Sequence, residues 1–280
     1  IVFRKDKTFL LDWMQVYMEA QESAGKKDGS QIKIAMRILK DYAGEMVTLD
    51  QIDGDFCRGY ITYLLTEYHP KGKDISNYTL HNYYRALNGA LNSAVRKKKM
   101  KANPFNELEK SEKIRKPESM RSYMTIEEVQ ALIDTPMPHE EYEIVKCAYL
   151  FSCFCGLRIS DIIKLKWNDV FVDRGQYRLA VSMKKTKEPI YLPLSPEALK
   201  WMPERGGKSS EDNVFDLPSA NTIRMQLKPW AKAAGISKRF SYHTSRHTFA
   251  TMMLTLGADL YTVSKLLGHA DVKMTQVYAK

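Results

Sequence analysis

Helical periodicity runs through the first hundred residues, stops at Asn103-Pro104, and does not resume until Thr125. Proline lacks an amide hydrogen and biases the residue before it away from the helical region, so a helix has to end there. Residues 106–121 are charged and poor in apolar anchors, which reads as a linker. A chain of 280 residues is long enough to bury two separate cores. The expected organisation is a helical domain over 1–105, a linker over 106–121 and a second domain over 122–280.

Upstream of the break, Phe9, Leu10, Trp13, Met14, Tyr17 and Met18 recur at steps of three and four, on one helical face. After the polar turn at Gly25 to Gly29, the apolar positions from Ile32 to Leu39 predict a second helix ending near Gly44. Thr48 is expected to cap a third helix carrying Ile52, Phe56, Tyr60, Ile61 and Leu64, and Ser76 a long fourth one through Leu80 to Val95. Together these make a small bundle. Downstream, Thr125-Ile126-Glu127-Glu128 is a capping box, and an apolar helix from about Glu140 stops at Gly156. The period then falls to two: Tyr177, Leu179 and Val181, then Ile190, Leu192 and Leu194, flank a lysine-rich turn and predict a β-hairpin, with Val170 to Val172 as one more strand. Helical patterning returns from Asn221, with breaks at Gly235, Gly257 and Gly268. The fold class is therefore mainly α with a small antiparallel β-sheet.

A formal charge of +10 makes nucleic acid or another anionic surface the first partner to consider. The helix expected to end near Val95 runs into Arg96-Lys97-Lys98-Lys99-Met100-Lys101; such a run reads either as a solvated terminus complementing the helix dipole or as a set of phosphate contacts. The four cysteines lack paired metal spacing, and Cys153 and Cys155 lie in an apolar run as free buried thiols, consistent with a reducing cytoplasm. No apolar run is long enough to span a membrane. The chain begins at Ile1 and stops two residues after Tyr278, which reads as trimmed at both ends; a tyrosine so near the end is expected to be loosely held.

Several residues carry possible chemistry. Arg158 follows Gly156, a helix-ending glycine, and precedes a short helix that Ser160 is expected to cap. Taken alone, it pairs with Asp161 or a helix end. His243 and Arg246 are three apart at the start of an apolar-striped helix, so both face one way; the arginine fork matches two phosphate oxygens. His269 follows Gly268 at a helix end, where a structural histidine is the ordinary reading. Tyr278 reads as a packing aromatic beside Met274 or as a nucleophile; a phenol titrates near pH ~10 and needs help to attack.

In this order and spacing the set resembles the tyrosine recombinase family of phage, transposon and Xer-type integrases. The resemblance rests on Gly156-Leu157-Arg158, a hairpin lysine, His243-x-x-Arg246, Leu267-Gly268-His269 and Tyr278, and spans nearly the whole chain. It implies a helical core-binding, SAM-like DNA-binding domain and an α+β catalytic domain. It also implies metal-free and cofactor-free transesterification of double-stranded DNA, with Tyr278 forming a 3′-phosphotyrosyl bond and releasing a 5′-hydroxyl. Arg158 and Arg246 would hold the non-bridging oxygens, and His243 and His269 would hydrogen-bond the phosphate, His243 also taking the tyrosine proton. The general acid falls on Lys185 among the crowded Lys184, Lys185 and Lys187, because Lys185-Thr186 resembles the turn of mobile-element integrases. The turn lacks the Gly-Lys-Gly-Asn-Lys pattern of Xer-type resolvases, which favours integration and excision of a mobile element.

The resemblance makes Lys97, Lys98, Lys99 and Lys101 candidate DNA contacts, and implies a homo-tetramer on DNA for the full-length protein and a monomer for this chain in isolation. Two other functions compete: a non-cutting DNA-binding regulator on the same fold, and, more distantly, a type IB topoisomerase. A complete set of six polar residues argues against the first, and the helical amino-terminal domain against the second.

Overall fold

A computed structural model describes residues 7–26, 29–118, 121–182 and 189–279. The chain divides into two compact units, Ile1–Ser119 and Met120–Lys280, each with its own buried cluster.

The first unit contains α1 (Leu10–Ser23), α2 (Gly29–Ala43), α3 (Gly54–Thr66) and α4 (Asn77–Arg96). Their apolar stripes converge as the three- and four-residue spacing requires: Met14, Ile38, Leu64 and Leu87 are all buried. Trp13 donates from Nε1 to the carbonyl of Ala90 at 2.8 Å, so α1 and α4 are joined by a hydrogen bond as well as by packing.

Three local expectations give way here and in the second unit. Thr48 caps only a 3₁₀ turn, Leu49–Gln51; Ile52 is extended, and Asp53 opens α3 by accepting from the amide of Phe56 at 2.8 Å. Two side-chain caps five residues apart compete for one start, and the one followed by uninterrupted helical backbone sets it. Within the stretch expected as a linker, Leu108 and Ile114 are buried in the first unit's core. In the second unit Ser160 is not the cap of its short helix: Arg158 holds that position, and its amide donates to Asp161 Oδ2 at 3.3 Å.

The second unit contains α5 (Ile126–Asp134), α6 (Glu143–Cys155), α7 (Ile159–Ile162), then β1 (Val170–Asp173), β2 (Gln176–Ser182) and β3 (Pro189–Pro193). After these come α8 (Pro196–Lys200), α9 (Ala220–Ala233), α10 (Tyr242–Thr255) and α11 (Leu260–Leu266), with 3₁₀ turns at Val272–Met274 and Gln276–Tyr278. The strands form one antiparallel sheet in the order β1-β2-β3, and Leu179 pairs with Leu192. Period-two alternation sends Leu179, Val181 and Leu192 inward while Tyr177 and Tyr191 stay exposed.

Helix α6 is the centre of this unit and is buried on almost every side, which explains its unbroken apolar sequence. Its Tyr149 ring lies among Trp230, Phe240 and Tyr242, with ring centroids 4.9 to 5.7 Å apart. The hydroxyls buried with these rings are satisfied where α6 meets α10. Tyr149 and Thr244 share a bond of 2.8 Å, and Tyr242 donates to the Ala148 carbonyl at 2.6 Å. Cys153 and Cys155 are free and buried, and burial pushes the Cys155 thiol up to about 12.

Gly156 ends α6 with φ +73°, the left-handed conformation glycine tolerates best. A Cβ there would also lie 2.5 Å from Phe249 Cδ1 on α10. We expect Gly156→Ala to lose about 2–4 kcal/mol, combining roughly 1 kcal/mol of backbone strain with overpacking. Gly257, at φ +90° with no atom within 4 Å of a built Cβ, serves as the comparison. Gly257→Ala should lose only the backbone part, about 1 kcal/mol. Urea unfolding of the two variants reads the difference, and equal losses would refute the packing argument.

Candidate active site

Helix α10 is the spine of the site. Its buried Arg246 is 2% exposed and, among the described residues, makes no hydrogen bond to a carboxylate. Instead Nη1 donates to the Gly156 carbonyl at 2.8 Å, and Nη2 donates to the Leu267 carbonyl. Those carbonyls lie at the C-terminal ends of α6 and α11, where the last carbonyls lack intrahelical partners and the dipole is negative. The guanidinium thus locks two helix ends to α10. Burial, and next the charge of Arg158, push the Arg246 pKa down to about 10, so it stays protonated at neutral pH.

His243 lies one turn before His247, and their rings meet edge-on with centroids 4.5 Å apart. His269 follows Gly268, whose φ is +58°, and shares a 2.7 Å hydrogen bond from Nδ1 with Thr275 Oγ1. Arg158, at the corner between α6 and α7, keeps a third of its side chain exposed, with Nη1 4.0 Å from Asp161 Oδ2.

Tyr278 is held, contrary to the expectation that it would be loose. Only 8% exposed, it closes a small cluster with Phe249, Ala250, Val263 and Leu267. Its Oη shares a 2.7 Å hydrogen bond with Nδ1 of His247 and accepts one from Nη1 of Arg121 at 2.8 Å. The Arg121 guanidinium also lies 5.2 Å from the centre of the phenol ring.

The charge balance of this cluster is one-sided. His243 is pushed below its ordinary value by desolvation, then by Arg246, Arg158 and Arg121. His247 falls to about 3 through burial, then through His243, Arg121, Arg246 and His269. His269 falls to about 4 through burial, then through Arg246, Arg158, Arg121 and His243. Burial first, and then the neighbouring guanidiniums, hold the three imidazoles neutral, with Asp161 the carboxylate that acts on Arg246. Such a site has a deficit of negative charge and a fan of donors, the complement of a phosphate.

The depressed imidazoles have a thermodynamic consequence. Between the ordinary histidine pKa of roughly 6.5 and the folded values, the unfolded chain binds protons that the folded chain refuses. The contribution to stability is therefore complete above about pH 6.5 and is lost as pH falls through the folded values of about 4 and about 3. Discounted for residual solvent, the refused protons at His247 and His269 should each cost on the order of 1 kcal/mol of stability at pH ~5 relative to neutral pH. The unfolding midpoint should drop by roughly 4 °C or more between pH ~7.5 and pH ~5. Replacing both histidines with asparagine should flatten that drop; an unchanged slope would refute the assignment.

Five of the six residues singled out by sequence fall in this cluster or on its edge: Arg158, His243, Arg246, His269 and Tyr278. Lys185 lies outside the described residues. Lys97, Lys98, Lys99 and Lys101 are exposed at the end of α4 in the first unit, with Lys98 at φ +58° and the amides of Lys97, Lys98 and Lys99 closing the helix end. Sequence reasoning missed two residues. His247 was legible as the position four after His243 on one helix face. Arg121 was not, because it sits in the polar stretch and only the fold carries it to Tyr278.

Residues 122–280 match the phage integrase family, and residues 9–116 match the phage integrase SAM-like domain. Among individual proteins, the tyrosine recombinase XerD of Vibrio vulnificus is 33% identical over 177 residues, covering 58% of this chain and 57% of that protein. The tyrosine recombinase XerC of Pelobacter propionicus is 29% identical over 245 residues, covering 84% of this chain and 77% of that one. The chain thus spans less than two thirds of the length of the XerD proteins it matches. Among solved structures, the Tn1549 transposon integrase in complex with a circular intermediate DNA aligns with TM-score 0.72 and 19% identity, over 98% of this chain and 95% of that one. A lambda integrase dimer bound to a core site aligns with TM-score 0.70 and 21% identity, over 98% and 96%. At these identities the structural likeness bears on the fold.

Proposed function

The chain belongs to the phage integrase family, the tyrosine recombinases, and from that premise we propose that it cuts and rejoins double-stranded DNA at specific sites through a 3′-phosphotyrosyl bond to Tyr278. The observation that carries the reading is the buried Arg246, whose hydrogen bonds among the described residues go to carbonyls, with Arg158 close enough to act on it, beside a phenol held by two hydrogen bonds. A phosphodiester supplies the missing negative charge. As the phosphorane forms, charge grows on the non-bridging oxygens, and fixed donors already aimed at the site stabilise it without reorganising.

In this scheme Arg158 and Arg246 hold the non-bridging oxygens, and His243 and His269 donate to the phosphate. The Tyr278 Oη–P bond forms as the P–O5′ bond breaks, and the departing 5′-oxygen takes a proton from Lys185. A second strand's 5′-hydroxyl reverses the step. Lys97, Lys98, Lys99 and Lys101 contact the duplex backbone. We read the biological task as integration and excision of a mobile element, supported by the sequence Lys184-Lys185-Thr186-Lys187, and the assembly on DNA as a homo-tetramer.

The test is covalent capture. The chain is incubated with a pool of nicked duplexes carrying a randomised central segment, denatured, and any DNA still attached is recovered and sequenced. The expected result is an enriched sequence joined to the protein through a 3′-phosphate. Non-covalent enrichment without any adduct would favour a regulator, and attachment through a 5′-phosphate would overturn the mechanism.

A further inference from the structure

We propose that His247 accepts the phenolic proton of Tyr278 during strand cleavage, and that Arg121 holds the phenol so that this proton points at His247. The inference rests on the recombinase reading and assigns two residues that the motif resemblance leaves out.

The hydrogen-bond inventory of the phenol leads there. Oη has one proton and two lone pairs. Arg121 Nη1 has no lone pair to offer and must donate, so it occupies one lone pair of Oη at 2.8 Å. The 2.7 Å contact with His247 Nδ1 then has two readings. If Nδ1 carried the hydrogen, both lone pairs would be used and none would remain for phosphorus. If the phenol donates to Nδ1, one lone pair stays free to attack, and the proton already lies on the line to its acceptor. The second arrangement suits a nucleophile. Arg121 is held in place because the extended segment that follows it is tied to the same helix: the Met124 amide donates to Thr248 Oγ1 at 2.9 Å.

The surroundings of His247 make the transfer conditional on DNA. Burial and the charges of His243, Arg121, Arg246 and His269 disfavour the imidazolium, so without a ligand the phenol keeps its proton. A bound phosphodiester brings a negative charge into that same cluster and removes much of the repulsion. His247 becomes a competent base only when there is a phosphorus to attack. The step balances: the proton moves from Oη to Nδ1 as the Oη–P bond forms, and returns from Nδ1 to Oη when the 5′-hydroxyl displaces the tyrosine. His243 meets His247 ring to ring and is left to the phosphate.

The experiment compares wild type, His247→Asn and His243→Asn in the rate of adduct formation between pH ~6 and pH ~9, using the nicked duplex recovered by capture. Asparagine keeps an acceptor near the Nδ1 position but takes no proton. We expect His247→Asn to be slower by about 10²-fold at pH ~7, with the deficit narrowing as pH rises and hydroxide takes the proton in place of the imidazole. His243→Asn should lose activity by a factor that does not narrow. A His247→Asn deficit under about 3-fold, or one equally large at every pH, overturns the proposal while leaving the recombinase reading intact. Absence of any wild-type adduct overturns both. Nitrogen-15 histidine spectra of the DNA-free chain give a readout that needs no activity. An Nε2–H tautomer at His247 whose Nδ1 signal moves in Tyr278→Phe is expected, and an Nδ1–H tautomer refutes the assignment.

Discussion

Tyr278→Phe is expected to abolish covalent capture of DNA, by more than about 10⁴-fold, because the variant lacks the only atom at that position able to form a bond to phosphorus. The substitution isolates chemistry from folding well. The phenyl ring keeps its place against Phe249, Ala250, Val263 and Leu267, so the packing that closes the end of the chain survives. What disappears is Oη, and with it the partner of His247 Nδ1 and of Arg121 Nη1. Leaving two polar groups short of one hydrogen bond each should lower stability by roughly 1–2 kcal/mol, visible in urea unfolding and small beside the loss of activity. Duplex binding should change little. Undiminished adduct in Tyr278→Phe would mean that another residue is the nucleophile and would sink the mechanism.

Arg246→Lys should be nearly as damaging, and for two reasons at once. Lysine keeps the charge but loses the planar fork, so it cannot reach the Gly156 and Leu267 carbonyls together and still face a phosphate. Adduct formation should fall by about 10³-fold, the scale seen when one preorganised donor of an oxyanion site is removed. Stability should fall by about 2–4 kcal/mol, since at least one buried helix-end carbonyl loses its donor and a cavity opens around the shorter contact. The two losses can be read separately: a DNA-free unfolding curve reports the carbonyls, and the single-turnover rate at saturating DNA reports the phosphate. A variant as stable as wild type but catalytically dead would show that the carbonyl bonds are incidental to the fold. A variant that unfolds early yet retains full rate would remove Arg246 from the catalytic set.

Much of this molecule could be read from local pattern. The stripes of α1, α2 and α4, the Thr125–Glu128 capping box, the glycine stop at Gly156 and the alternation of β2 and β3 are interactions within four residues or one strand pairing, and the structure has them where periodicity put them. Local reading failed where two nearby signals competed. Thr48 and Asp53 both look like caps, and so do Ser160 and the Arg158–Asp161 pair; backbone geometry settled each case. It failed again at Leu108 and Ile114, whose isolated apolar side chains in a charged stretch give no periodic signal and yet are buried.

The same division holds at the candidate site. By itself the sequence determined the kinds of group and their order: an arginine at a helix corner, a histidine and arginine three apart, a histidine after a glycine, and a tyrosine near the end. It could do so because each stands in a short motif whose geometry is local. What only tertiary structure decided is which groups touch. Arg121 and Tyr278 are 157 positions apart and His247 and Tyr278 are 31 apart, yet both pairs meet within 3 Å. The physical reason is that α10 packs across α6 while Arg246 draws the ends of α6 and α11 to one guanidinium. That packing brings the chain's last turn back over the helix that carries His247.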